Sequence, residues 1–217
     1  MGSPFPEKTD PQKIQLEARN LSCIRDDRVL FEGLDFTLKN NQVLLLEGKN
    51  GSGKTSLLRI VCGFREQDAG ELLWCNSAIK DSEFFAEMAY VGHLDGVKKE
   101  LTVQENLKMS LALNQAGKYT IGQALDKIHL AGYDDSLVQS LSAGQKRRLS
   151  LARLLITKKS LWVLDEPFTS IDKQGIKLIE SLMHEHISNG GMIILTSHHD
   201  LVLHEADVQK INLSACH

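Results

Sequence analysis

The chain lacks any long hydrophobic run and any cysteine pattern typical of a metal site. Its 217 residues contain no stretch near the ~20 apolar residues that a membrane-spanning helix needs, so direct membrane insertion is not expected. Four cysteines are widely spaced, without the paired spacing of zinc ligands. We expect them to be reduced thiols in a cytosolic protein. They are Cys23, Cys62, Cys75 and Cys216.

An excess of basic charge is also absent. The formal net charge is −3, so a nucleic-acid partner is not expected. Residues 1–12 carry three prolines and no apolar segment of the signal-peptide type. We therefore expect a flexible N-terminal tail over 1–12 and a single domain over 13–217.

A glycine-rich loop is the first positive signal. Residues 48–55 read Gly-Lys-Asn-Gly-Ser-Gly-Lys-Thr and fit the phosphate-binding pattern G-x-x-x-x-G-K-[ST]. An apolar strand over 42–47 and an apolar helix pattern over 56–62 flank it, which disfavours the alternative of an incidental turn. Lys54 is expected to reach the β- and γ-phosphates and Thr55 to bind Mg²⁺. The predicted nucleotide-binding residues are Gly48, Lys49, Asn50, Gly51, Ser52, Gly53, Lys54, Thr55 and Ser56.

Paired carboxylates follow a second apolar strand, which covers residues 161–164. In a phosphoryl-transfer site, Asp165 would hold Mg²⁺ through water and Glu166 would act as general base on the attacking water. The alternative, a strand that ends in a solvated acidic turn, is disfavoured by the glycine-rich loop elsewhere in the chain.

The segment Leu141-Ser142-Ala143-Gly144-Gln145 resembles the LSGGQ signature of ATP-binding cassette (ABC) ATPases. The order of motifs from 14 to about 212 is similar to that of an ABC nucleotide-binding domain. This resemblance implies an α/β P-loop NTPase fold with a mostly parallel core sheet, a small antiparallel β layer and a helical subdomain inserted at about 77–145. It also implies a homodimer in which Ser142, Ala143, Gly144 and Gln145 contact ATP held by the other subunit. We expect Ser142 to cap the following helix.

Further motifs of the family have counterparts here. Residues 169–172 resemble the D-loop, with Asp172, and residues 196–198 resemble the H-loop, which implies a γ-phosphate contact for His198. His93 occupies the place where most ABC domains carry the Q-loop glutamine. The aromatic residue that stacks on adenine is missing; Arg25 could stack on the base instead, or belong to a solvated hairpin tip.

Three segments, 91–93, 101–107 and 141–148, resemble the ABC ATPases of cytochrome c maturation, a haem-exporter group. The resemblance implies ATP and Mg²⁺ as cofactors, integral membrane partner subunits, and a place on the cytoplasmic side of the bacterial inner membrane. We expect residues 92–101 to receive a partner helix through Val97 and Leu101. The alternatives are a transporter ATPase for another cargo, or a soluble ABC ATPase acting on ribosomes or DNA.

Some polar residues receive no function from the sequence. The basic run Lys146-Arg147-Arg148 is interpreted as a solvated helix face. Four histidines match no motif and are expected to be solvated: His184, His186, His199 and His204.

Overall fold

A computed structural model describes residues 15–197, 199 and 206–215. In this part of the chain, nine strands form two sheets. The strands are β1 (Gln15–Arg25), β2 (Arg28–Lys39), β3 (Gln42–Glu47), β4 (Ala69–Trp74), β5 (Ser77–Ala78), β6 (Met88–Val91), β7 (Leu161–Asp165), β8 (Met192–Thr196) and β9 (Asp207–Asn212). The helices are α1 (Lys54–Val61), α2 (Phe84–Glu87), α3 (Val103–Ala112), α4 (Ile121–Lys127), α5 (Ala143–Ile156) and α6 (Lys173–Ser188).

The larger sheet has the order β6-β7-β8-β3-β9, and all its neighbouring strands pair in parallel. Its central strands are continuous apolar runs because both faces are covered. In β3, Val43 and Leu45 pack in one hydrophobic cluster with α5 and α6, whereas Leu44 and Leu46 pack in the other with α1 and the smaller sheet. Successive side chains of a strand point to opposite faces, so one strand joins two cores.

The smaller sheet is antiparallel, with the order β2-β1-β4-β5. The predicted fold class, an α/β P-loop fold with a parallel core and an antiparallel layer, is therefore confirmed. The interval 77–145 is less uniformly helical than predicted, because it also contains β5 and β6, and β6 pairs with β7 at the edge of the parallel sheet. The helices α3 and α4 follow β6, so the helical insertion proper starts after this strand.

The carboxyl ends of β3, β7 and β8 meet at one edge of the parallel sheet. Thr196 at the end of β8 pairs in register with Leu46 on one side and with Asp165 on the other. Ligands of open parallel sheets bind at this edge. The register therefore places the glycine-rich loop beside the paired carboxylates.

Candidate active site

A cleft of about 880 Å³ opens at this edge of the sheet. Residues from the glycine-rich loop, the β1–β2 hairpin, the acidic turn and the segment after β6 line it together. The predicted site residues among them are Arg25, Asn50, Gly51, Gly53, Lys54, Thr55, Ser56, His93, Asp165 and Glu166.

The backbone of the glycine-rich loop requires its glycines. Gly48, Gly51 and Gly53 have φ values of 138°, 80° and 102°, which L side chains rarely adopt. A Cβ atom added to Gly48 would lie 2.6 Å from the Ser52 hydroxyl oxygen. Gly53 is the N-cap of α1, and the positive end of this helix dipole faces the cleft, where it would attract phosphate.

Lys54 is buried although it carries a charge. Its ammonium donates to the carbonyl oxygens of Gly48 at 2.6 Å and Lys49 at 3.3 Å, so the side chain curls against the loop. The buried Ser52 hydroxyl has no hydrogen-bond partner, and the Lys49 amide donates to Ser214 instead of facing the cleft. A buried Ser52 hydroxyl without a partner and the Lys54 ammonium in the same loop fit an anionic ligand.

A hydroxyl and a carboxylate suited to Mg²⁺ lie next to each other. The Thr55 hydroxyl donates to Asp165 Oδ2 at 3.3 Å, and the Thr196 hydroxyl donates to Asp165 Oδ1 at 2.8 Å. Mg²⁺ prefers oxygen ligands and keeps several waters beside phosphates. Among the described residues no group of three or more His, Cys, Asp or Glu side chains forms a metal site. Thr55 and Asp165 therefore fit an ion that completes its shell with phosphate and water.

Glu166 has a left-handed backbone, with a φ of 51°. For a residue other than glycine this conformation costs on the order of 1 kcal/mol or more, and the surroundings must hold it. On one side, the Glu166 amide donates to the Thr196 hydroxyl at 2.9 Å. On the other side, its carbonyl accepts from Arg147 at 2.8 Å. From the sequence, Thr196 belonged only to the H-loop motif and Arg147 only to a basic run interpreted as solvated.

Arg147 is not on a solvated face, which corrects the interpretation of the basic run. Its side chain is only 3% exposed. Burial lowers the pKa of Arg147, an effect that nearby Asp95 opposes, and an arginine remains charged under such conditions. The signal was present in the sequence: Arg147, Ser150, Leu151 and Leu154 recur at the spacing of one buried helix face.

His93 and Arg25 both lie at the cleft but remain exposed. Arg25 ends β1 with its side chain 60% exposed and 3.4 Å from Asp26 Oδ2. The hairpin tip is thus charged and solvated, as one alternative held, and it also lines the cleft, as the other required. The γ-phosphate contact assigned to His198 falls outside the described residues.

The signature segment has a different environment. Ser142 caps α5, accepting from the Gln145 amide at 3.2 Å while the Gln145 side chain accepts from the Ser142 amide at 2.8 Å. None of the four predicted signature residues, 142–145, lines the cleft of its own chain. A Cβ atom on Gly144 would lie 3.0 Å from the Ser170 carbonyl oxygen, so α5 begins against the D-loop backbone. Asp172 caps α6, accepting from the Gly175 amide at 2.8 Å.

The segment predicted to dock a partner has one apolar residue that is far more exposed than the others. Val97 and Leu101 are both partly buried, and Val97 packs against the core cluster. Leu94 is 83% exposed. Arg153, which donates to the carbonyls of Asp95 and Gly96, lines a groove of about 320 Å³ together with Phe64, which is 65% exposed.

His186 is also placed differently from the prediction of a solvated side chain. Its ring stacks on Trp162, with the centroids 3.9 Å apart, and its Nε2 lies 3.2 Å from the Met192 carbonyl oxygen. Burial lowers the pKa of His186 to about 4. His184 is exposed, as is His199, and His204 lies outside the described residues.

Comparison with known proteins agrees with this geometry. The ABC transporter family profile matches residues 31–169. An ABC transporter ATP-binding protein from Pyrococcus furiosus shares the fold with a TM-score of 0.79 and 27% identity, over 92% of this chain and 98% of that one. A nucleotide-free ATP-binding cassette has a TM-score of 0.75 at 22% identity, over 93% of this chain and 88% of the other. The chain belongs to the ABC transporter family of ATP-binding proteins.

Within this family the chain is similar to cytochrome c biogenesis ATP-binding export proteins, named CcmA. It is 45% identical over 201 residues to CcmA from Aliivibrio fischeri, covering 91% of this chain and 98% of that protein. It is 46% identical over 201 residues to CcmA from Methylococcus capsulatus, covering 91% and 97% of the two chains. The predicted resemblance to ABC ATPases of cytochrome c maturation is confirmed.

Proposed function

We propose that this chain is the ATP-hydrolysing subunit of a membrane ABC complex in cytochrome c biogenesis. It would couple hydrolysis to haem export or to the release of a haem-loaded chaperone. The observation that carries the ATPase assignment is the single cleft that joins the glycine-rich loop to Asp165 and Glu166. The cytochrome c assignment rests on the CcmA relatives, and they favour it over transport of another cargo or a soluble ABC ATPase.

The described residues divide the hydrolysis reaction among them. The loop amides and Lys54 bind the β- and γ-phosphates, where charge develops as the phosphoryl group is transferred. Glu166 accepts a proton from the attacking water. The γ-phosphate contact that we propose for His198 lies outside the described residues. Mg²⁺, when held by Thr55 and Asp165, neutralises phosphate charge.

A second copy of the chain would complete the site. The start of α5, with the Ser142 hydroxyl and the amides of the first turn, is suited to bind an anion but faces away from its own cleft. In a head-to-tail homodimer this start would meet the γ-phosphate bound by the partner. Hydrolysis removes the bridging charge and lets the two subunits separate.

The membrane partners would dock beside Leu94. No helix within the described residues is long and apolar enough to cross a membrane. An exposed apolar residue such as Leu94, next to a groove that exposes Phe64, marks a contact surface. The occupant we propose is a short cytoplasmic helix of an integral membrane subunit, which would hold this chain on the cytoplasmic side of the bacterial inner membrane.

The decisive experiment replaces Glu166 by Gln in the full chain. Turnover should fall by ~10²-fold or more, since that is the usual contribution of a general base, while ATP binding is kept. Glu47→Gln is the matched control, because Glu47 ends β3, pairs with Lys210 at 3.0 Å and does not line the cleft. Normal turnover in Glu166→Gln would remove it from the role of base.

The biological role needs its own measurement. In a bacterium that depends on this gene for its c-type cytochromes, Glu166→Gln should abolish covalent haem staining of these proteins, and Glu47→Gln should preserve it. Unchanged haem staining in cells that lack the active ATPase would point to another cargo.

A further inference from the structure

We infer that Arg147 is a positioning residue that fixes the general base Glu166 and ties its position to the segment proposed to dock the membrane partner. This inference rests on the ATPase function proposed above. Arg147 lies on α5, one turn after the signature residues, and its guanidinium faces into the protein instead of toward solvent.

The guanidinium joins the acidic turn to the segment after β6. Its Nη2 donates to the carbonyl oxygens of Asp165 at 2.9 Å and Glu166 at 2.8 Å. Its Nε lies 3.2 Å from the Pro167 carbonyl and its Nη1 2.6 Å from the Gly92 carbonyl. Four backbone carbonyls around one buried cation form a rigid arrangement, because a planar fork fixes the direction of each donor.

These contacts act where the backbone needs support. The left-handed conformation of Glu166 persists only while its surroundings hold it. Its amide donates to Thr196, and its carbonyl accepts from Arg147 and from the Thr169 amide of the same turn at 3.2 Å. Thr196 also binds Asp165, so it fixes the sheet side of the turn. Arg147 fixes the opposite side, toward α5. A shift of the Glu166 peptide would move the carboxylate away from the attacking water.

The same guanidinium contacts the segment proposed to dock the membrane partner. Asp95 Oδ1 lies 3.6 Å from Nη1, and Asp95 directly follows the exposed Leu94. Gly92, the other contact in this segment, directly precedes His93 at the cleft. A partner that presses on Leu94 would therefore move groups that touch Arg147, and Arg147 touches Glu166. The Arg147 side chain would therefore link the docking segment to the backbone of the general base.

The test compares Arg147→Lys and Arg147→Met in the full chain, alone and in native membranes. Lysine keeps the charge but loses the planar fork, so kcat should fall about tenfold, and methionine should lower it about 10²-fold, the scale of a misplaced catalytic group. The KM for ATP should stay within about threefold, because Arg147 contacts no part of the phosphate loop. A purely structural role would instead lower the thermal stability and ATP affinity together.

Arg153→Met is the matched control. Arg153 lies on the same helix and its Nη1 donates to the Gly96 carbonyl at 3.1 Å, far from the Glu166 turn that Arg147 holds. The substitution removes a half-buried arginine and a contact to the same segment without changing a contact of Glu166. Basal turnover in Arg153→Met should therefore remain normal. A loss of turnover equal to that of Arg147→Met would overturn the inference. The lost contact to the segment after β6 would then explain the effects of both substitutions.

A double-mutant cycle with Glu166→Gln gives the strictest criterion. If Arg147 acts through Glu166, adding Arg147→Lys to Glu166→Gln should lower the residual single-turnover rate no further. If the double variant is slower than Glu166→Gln alone, or if kcat is normal in Arg147→Lys, the inference is overturned. The ATPase proposal would stay intact in either case. Full turnover by Glu166→Gln itself would count against the proposed function instead. If Arg147→Met fails to fold, the lysine variant and the cycle still decide.

Discussion

The cleft and the signature segment are the two regions that we propose to bind the triphosphate, and they differ in how many segments of the chain build them. The cleft gathers a cation, a hydroxyl and two carboxylates from two segments that are more than 100 residues apart in the chain. The signature segment consists of four consecutive residues at the start of α5, where Ser142 and Gln145 form a capping box, and none of the four lines that cleft.

Because of this difference, we expect the two regions to serve different steps, nucleotide binding and turnover. Lys54 and the loop amides, which we propose to bind phosphate, lie within one chain, so we expect a single copy to bind nucleotide. In the proposed homodimer, the start of α5 would instead meet the phosphate held by the other copy. Variants in the two regions should accordingly have different effects: those at the phosphate-binding residues of the cleft should change nucleotide affinity, and those in the signature segment should change turnover alone.

The largest effect is expected for Gly144→Asp. The added carboxylate would repel the partner's phosphate, and its Cβ would press on the Ser170 carbonyl oxygen at 3.0 Å. Loss of one anion-stabilising element typically costs about 10²–10³-fold in rate, so turnover should fall by that order while nucleotide binding to the single chain persists. Gly122→Asp, in the first turn of α4 with no atom within 4 Å of the new Cβ, is the control. Lost nucleotide binding in Gly144→Asp would break the comparison.

The next effect is expected for Lys54→Ala, on the cleft side. Removing a buried charge paired with phosphate costs ~1.5–3 kcal/mol, or about ten- to a hundredfold in ATP affinity. Lys49→Ala in the same loop should bind ATP normally, because the Lys49 side chain is exposed and does not line the cleft. Equilibrium titration with a fluorescent nucleotide measures both. Equal affinities in the two variants would show that the loop does not depend on Lys54.

A smaller effect is expected for Leu94→Asp, which tests a third surface that includes neither the cleft residues nor the signature residues. It should weaken recovery of the integral membrane partner from detergent extracts about tenfold, the scale of losing one interface anchor, and leave basal turnover intact. Tyr133→Asp changes another exposed residue of the helical insertion and should not affect recovery. Undiminished recovery with Leu94→Asp would end the docking assignment. Val97→Asp is unsuitable, since Val97 packs on the core.

His186→Gln is expected to leave turnover unchanged. It should instead change how the free energy of unfolding depends on pH. Folding lowers the pKa of His186 from 6.5 to about 4, so the unfolded chain takes up a proton first as the pH falls. Stability is therefore present above the unfolded pKa and is lost between about pH 6.5 and about pH 4. From about pH 7 to about pH 5 the loss should be about 2 kcal/mol in wild type.

Urea unfolding at about pH 7 and about pH 5 measures this loss of stability. In His186→Gln the free energy of unfolding should fall less between the two pH values, by about 2 kcal/mol, because no proton is taken up at this position. His184→Gln removes an exposed histidine from the same helix and should keep the wild-type slope. An unchanged slope in His186→Gln would show that His186 is protonated in the folded protein as well.

The sequence alone determined the parts of this protein whose chemistry is local. A glycine-rich loop between an apolar strand and a helix has few structural solutions, and Gly48, Gly51 and Gly53 take the positive φ values that the pattern demands. The continuous apolar runs of β3 and β7 predicted a sheet buried on both faces. The Ser142 cap followed from residue type and spacing, because a capping box is a contact within one turn.

Only the tertiary structure decided the contacts between distant segments. Arg147 looked like part of a solvated basic run, but the helix face that it shares with Leu151 is turned inward against the acidic turn. Thr196 binds Asp165 because parallel register brings the ends of β7 and β8 together, and no local pattern encodes that register. Val97 packs against the core while Leu94 is exposed, because the path of a loop depends on the surfaces it packs against.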